Sequence, residues 1–147
     1  MTRTSDNIIA AIPPQQIAVR VYYEDTDFSG RVYHASYLRF LERGRTEWLR
    51  VQGFEQREMA AGGSIVFVVR RLTIDFVKPA IMDDLLTIET RISAIGAASV
   101  DFSQEVLRGT ETLSAALVNV VALREGRPAR MPADMRARLS GGHGLKD

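Results

Sequence analysis

The chain has 147 residues, of which 46% are hydrophobic and 25% charged, the balance of one soluble domain with enough apolar material for a single core. Its formal net charge is +1, so no strong field draws it to nucleic acid or to an anionic membrane surface. Cysteine is absent, which rules out disulfides, thiolate metal sites and a cysteine nucleophile; with only two histidines, His34 and His143, a multi-histidine metal centre is not expected either.

At the N-terminus a short apolar patch, Ile8 to Ile12, is stopped by Pro13-Pro14. It is too short for the core of an export signal, and no run approaches the ~20 apolar residues of a membrane helix. A cytoplasmic protein is expected, with residues 1–16 loosely held. Residues 17–23 alternate Ile17, Val19, Val21 and Tyr23 on one face and read as a half-buried strand. An acidic turn follows, Glu24-Asp25-Thr26-Asp27, then Gly30. The spacing predicts a helix over 33–51, with Tyr37, Leu38, Leu41, Trp48 and Leu49 on one side. Gly44 lies within that helix at a cost of roughly 1 kcal/mol relative to alanine, which points to close approach of a sheet. Gly53 is a stop signal, and a second short helix is predicted over 55–61.

From Ser64 the chain reads as strands: 64–77, ended by Lys78-Pro79-Ala80, then 84–95, 98–108 and 112–124, with turn signals at Gly96 and Arg108-Gly109-Thr110. The last is apolar on both faces, as in a central strand covered on each side. Residues 126–147 are expected to be loosely docked, with one helical turn near 133–139. The fold class is therefore α+β, a single domain over 1–147 in the order β-α-β-β-β-β, with one long helix wrapped by a roughly five-stranded antiparallel sheet. One sheet around one helix leaves an outer face and an edge bare, so a homo-oligomer is expected.

The strand, acidic turn, glycine and helix place the carboxylate of Asp27 near the unpaired backbone N–H groups of a helix start. A carboxylate facing an oxyanion-binding site can cleave an activated acyl group. Aspartate is also a common turn and cap residue, so the carboxylate alone leaves a structural role open. Asp25 is read as a turn carboxylate, and Glu42 and Glu47 as helix-surface partners of nearby arginines. The arginines at 124, 127, 130, 136 and 138 read as a solvated C-terminus, and Gly141 to Gly144 as a loose end rather than a metal site. No G-x-S-x-G elbow marks a serine hydrolase.

Taken together, Arg20-Val21, Thr26-Asp27, Gly30, Val32-Tyr33-His34 and Tyr37 resemble the hotdog-fold acyl-CoA thioesterases of the 4-hydroxybenzoyl-CoA thioesterase type. The helix sequence LERGRTEWLR and residues 67–90 resemble the YbgC-like branch of that family, associated with the Tol–Pal system; the resemblance covers roughly residues 17–125. It implies hydrolysis of acyl-CoA thioesters to free acid and coenzyme A without a cofactor or metal, acyl carrier protein being an alternative carrier. Asp27 would serve as nucleophile or general base, the backbone N–H at His34 as the oxyanion site, and Tyr23 would reach the acyl group from the strand end. Gly30 and Tyr37 belong to the shared motif and would meet the substrate, while Arg70, Arg71 and Lys78 would meet the phosphates of coenzyme A. A homodimer or homotetramer with sites at subunit interfaces is implied as well. The chain departs from the family at Arg31, where a small aliphatic residue is usual, and at the bulkier Phe28-Ser29, departures that bear on acyl preference. A hotdog dehydratase, using His34 with Glu42, and a non-catalytic acyl-binding oligomer are the alternatives.

Overall fold

In the computed structural model, residues 13–55, 57 and 65–140 are described. The first strand, β1 (Gln15–Arg20), begins before the expected start and ends three residues early. Val19 and Val21 point inward as the alternation requires, and Val21 still donates its N–H to the carbonyl of Asp84 at 2.9 Å. Beyond it the chain folds into a 3-10 turn, Tyr23–Asp25. The cause is Asp25, which is buried and whose Oδ2 accepts the N–H of Tyr22 at 2.8 Å. The expectation that Tyr23 ends the strand is corrected: the turn leaves the residue 78% exposed.

The helix α1 (His34–Val51) is followed by β2 (Val66–Phe76), β3 (Leu85–Ile95), β4 (Ser99–Arg108), β5 (Glu111–Arg124), the two-residue β6 (Arg127–Pro128) and the short helix α2 (Ala133–Leu139). All pairings are antiparallel, in the order β1-β3-β4-β5-β2, with β6 folded back on β5. In β2 the register shifts between Val69 and Arg71. Because side chains alternate with period two, one extra residue flips the phase. Phe67 is half-buried before the shift, and Leu72 and Ile74 after it. That is why Arg70 and Arg71, adjacent in sequence, line the same hollow. β5 is central, as expected, but its second face is not covered: Leu117 is exposed.

α1 packs across one face of the sheet, against β1, β3 and β4. Tyr37, Phe40, Leu41, Trp48 and Leu49 are buried, and Trp48 meets Phe102 edge-on with ring centroids 5.5 Å apart. Leu38, expected on that face, is exposed, and Phe40 takes its place. At Gly44 the helix and sheet nearly touch: a Cβ there would lie 2.6 Å from Thr90 Oγ1 and 2.9 Å from Ile88 Cγ2. Beside it Gln104 donates to the Leu41 carbonyl and to Thr90 Oγ1, satisfying a buried amide. α1 ends at Val51, with Gly53 two residues on at φ +95°. The predicted helix over 55–61 falls almost wholly outside the described residues.

The expectation of loose ends is corrected where they are described. Gln15 and Gln16 lie in β1, and the segment from Gly126 to Ser140 is docked. Met131 and Leu139 are fully buried, Arg136 donates to the carbonyl of Gly96, and Arg138 lies 4.6 Å over the ring of Phe54. Met131, Leu139, Arg136 and Arg138 thus find apolar, aromatic or carbonyl partners that the composition of the segment alone conceals.

Candidate active site

Asp27 opens a tight loop. Its backbone N–H donates to the carbonyl of Arg31, and its carbonyl accepts the N–H of Gly30, both at 2.9 Å; Thr26 and Val32 pair across the base. Gly30 sits at φ +83°, a conformation that favours glycine in such a three-residue hairpin loop. The carboxylate of Asp27 curls over the loop, where Oδ1 accepts both the backbone N–H of Ser29 (2.8 Å) and its hydroxyl (2.5 Å). The Ser29 hydroxyl, and next its N–H, hold the Asp27 carboxyl below the usual carboxylate range; the nearby charges of His34 and Arg31 add to the effect. The turn role and the exposed carboxylate thus coexist in one residue.

Val32 returns the chain to the protein by donating to the Ala80 carbonyl, and α1 starts two residues later. Its N-cap, Tyr33, offers no side-chain cap. Among the described residues no acceptor is bonded to the backbone N–H of His34, so this helix start keeps an open donor and the positive end of its dipole.

These elements meet at a cavity of about 340 Å³ lined by Asp27, Ser29, Arg31, Val32, His34, Tyr37, Phe76, Val77, Lys78 and Pro79. Asp27, His34, Tyr37 and Lys78, read from the sequence as site residues, are therefore brought together. Tyr37 is anchored: its hydroxyl accepts the N–H of Ala80 at 3.1 Å, and its ring stacks edge-on with Phe76. Lys78 is paired with Glu111 at 2.7 Å, which in turn pairs with Arg108. Arg31 makes no contact ion pair among the described residues, and its charge acts on the nearby Asp27.

Other expected members lie elsewhere. Gly30 shapes the loop rather than lining the cavity, and Tyr23 does not line it. Arg70 and Arg71 line a separate hollow with Asp101, Leu117 and Asn119; Arg70 donates to Asn119, which donates to Asp101. The side chain of Phe28 is fully exposed. Glu42 accepts from Thr46 and lines a third hollow, apart from the His34 of the same chain. Glu47 is ion-paired with Arg50, as expected of a helix surface. Phe76 and Val77 were not singled out from the sequence; the only signal for them is their place at the end of a strand that passes Tyr37.

The sequence pattern that defines the thioesterase-like superfamily is matched over residues 21–139. The chain belongs to that superfamily. Within the thioesterase-like superfamily it is 45% identical, over 121 residues, to an acyl-CoA thioesterase YbgC from Haemophilus influenzae, covering 81% of this chain and 89% of that one. A probable thioesterase from Bartonella henselae, of known crystal structure, superposes with a TM-score of 0.78 at 46% identity, covering 81% of this chain and 99% of that one. A thioesterase from Thermus thermophilus, solved with coenzyme A and zinc, is 27% identical with a TM-score of 0.76 over 87% of this chain and 98% of that one. The hotdog thioesterase fold expected from the motif is thereby borne out. No helix among the described residues is long and apolar enough to cross a membrane.

Proposed function

We propose that this thioesterase-like protein hydrolyses acyl-CoA thioesters to free acid and coenzyme A, with Asp27 as the nucleophile. The observation that carries the reading is the meeting of an ionised, exposed carboxylate with an open helix N-terminus in one cavity. The activity of the YbgC relative points the same way.

In this reading the thioester carbonyl enters with its oxygen toward the N–H of His34, which stabilises the developing oxyanion. Oδ2 of Asp27 attacks the carbonyl carbon, the C–S bond breaks, and coenzyme A leaves as a thiolate that takes a proton from solvent. Water then opens the mixed anhydride, which releases the acid and restores the carboxylate. A carboxyl held below the usual range is a weak general base at neutral pH yet fully ionised as a nucleophile, which favours attack over proton abstraction from water. The imidazole of His34 and the hydroxyl of Tyr37 flank the acyl group. Tyr23 acts, if the site is completed by a second copy, from outside this cavity, as do Arg70 and Arg71. Lys78 and Arg31 meet the anionic carrier, which is coenzyme A or the phosphopantetheine of acyl carrier protein.

The cavity is open in one copy of the chain, and among the described residues β2 presents a long unpaired edge with Val66, Val68 and Val69 exposed. A dimer or tetramer, assembled in the cytoplasm as one-domain subunits, would cover both.

The test is thiol release from short, long and aromatic acyl-CoAs, read with a thiol-reactive dye; with no cysteine, the protein gives no background. Asp27→Asn should lose at least about 100-fold in turnover with substrate binding retained. In a single turnover coenzyme A should be released ahead of free acid, because the mixed anhydride forms before water opens it. A near-normal rate in Asp27→Asn would end the assignment, and acid appearing in step with coenzyme A, with no acyl group trapped on Asp27 by an acid quench, would make Asp27 a general base.

A further inference from the structure

We propose that Ser29 is a positioning residue for Asp27: it holds Oδ1 through its hydroxyl and its backbone N–H, and so presents Oδ2 alone to the substrate. The inference rests on the thioesterase reading for its catalytic meaning, but the contact itself stands on geometry.

Three observations carry it. First, both Ser29 donors converge on the same oxygen, at 2.5 and 2.8 Å, while no protein donor is bonded to Oδ2 among the described residues. Second, the Ser29 hydroxyl is itself held, since its oxygen accepts the backbone N–H of Arg31 at 3.3 Å; its proton therefore points at Asp27. Third, Ser29 lines the cavity beside Asp27. The hydroxyl removes one of two equivalent oxygens from competition and fixes the plane of the carboxylate, which lowers the orientational cost of attack. An alanine or glycine here keeps only the backbone donor.

Ser29 is not itself the nucleophile. A serine needs a base able to take its proton, and Asp27, held below the usual carboxylate range mainly by this same hydroxyl, is poorly suited. The other charged or titratable groups lining the cavity are Arg31, His34, Tyr37 and Lys78. Of these, His34 and Arg31 also favour the ionised form of Asp27. They stay in place in a Ser29 variant, so the comparison isolates the hydroxyl.

The experiment is an NMR titration of the Asp27 carboxyl carbon in protein labelled with 13C at aspartate, for wild type, Ser29→Ala and Ser29→Thr. The resonance is assigned by its loss in Asp27→Asn. Ser29→Ala should titrate at higher pH than wild type, and Ser29→Thr, which keeps a hydroxyl, should stay close to wild type. In thioester hydrolysis the acid limb of kcat/KM for Ser29→Ala should move to higher pH. Its turnover at neutral pH should fall by about tenfold or less, against about 100-fold or more for Asp27→Asn. An unmoved titration overturns the proposal. So does a Ser29→Ala variant as inactive as Asp27→Asn with an acyl group trapped on Ser29 of the wild type, since Ser29 would then be the nucleophile. A wild type that hydrolyses no thioester would overturn the thioesterase reading, while the titration would still decide whether Ser29 holds Asp27.

Discussion

The phenolic oxygen of Tyr37, on the second turn of α1, accepts the backbone N–H of Ala80, which follows β2 by four residues. This bond ties the helix whose N-terminus opens into the cavity to the segment that supplies Val77, Lys78 and Pro79. Ala80 is fully buried, so its N–H has no route to solvent.

Tyr37→Phe should therefore destabilise the protein by about 1–3 kcal/mol, the cost of a buried donor left unpaired. Urea denaturation measures this as a lower midpoint at unchanged slope. A midpoint equal to wild type would mean that water reaches Ala80.

Gly44→Ala tests the closeness of helix and sheet. Alanine gains about 1 kcal/mol in helix propensity. It also brings a Cβ to 2.6 Å from Thr90 Oγ1 and 2.9 Å from Ile88 Cγ2, an overpacking that costs about 1–3 kcal/mol. Net destabilisation is the expected outcome in the same denaturation assay. A more stable variant would show that α1 can lift off β3 without loss.

Acid should weaken the network beside the cavity. Hydrogen bonds from Lys78, then from Arg108, hold the Glu111 carboxyl below its ordinary value of 4.5. The folded state thus releases this proton more readily than the unfolded state. The stabilisation is complete above pH 4.5 and is lost as the pH falls through the folded value. Glu111 is exposed, so the effect is small. Thermal melts of wild type and Glu111→Gln should differ modestly at pH 7 and converge below pH 4.5. A gap that widens on acidification would reverse the sign.

Light scattering at micromolar concentration should give a dimer or tetramer. Val68→Lys, on the bare edge strand, should shift the mass toward monomer without unfolding. Monomer alone in the wild type would count against assembly.

The helix and the long strands were legible because their periods are regular: seven buried positions of α1 repeat at helical spacing, and Gly44 stood out as an interruption with a structural reason. The loop from Asp27 to Gly30 was legible through its motif. What stayed hidden depends on phase and on contacts between distant segments. A single extra residue at the Arg70 register shift leaves no mark stronger than two adjacent arginines, yet it decides which face they occupy. Asp25 and Asp27 look alike in a four-residue acidic turn. The motif assigns them different roles, and folding shows how: one is buried to bend the chain and the other turned outward. Tyr23 moved off the strand for the same reason. Phe76 and Val77 join the site only once β2 has found its register against β5.

The sheet order also has a consequence for synthesis on the ribosome. Among the described residues β2 pairs only with β5, which begins 35 residues after β2 ends, so a strand rich in valine emerges with no partner in place. At ~5–20 residues per second the wait lasts about 2–7 seconds, long enough for a nascent chain to meet its neighbours on a polysome. The two arginines in the middle of β2 interrupt that valine run with like charge, and in the waiting chain they act as gatekeepers against premature strand pairing.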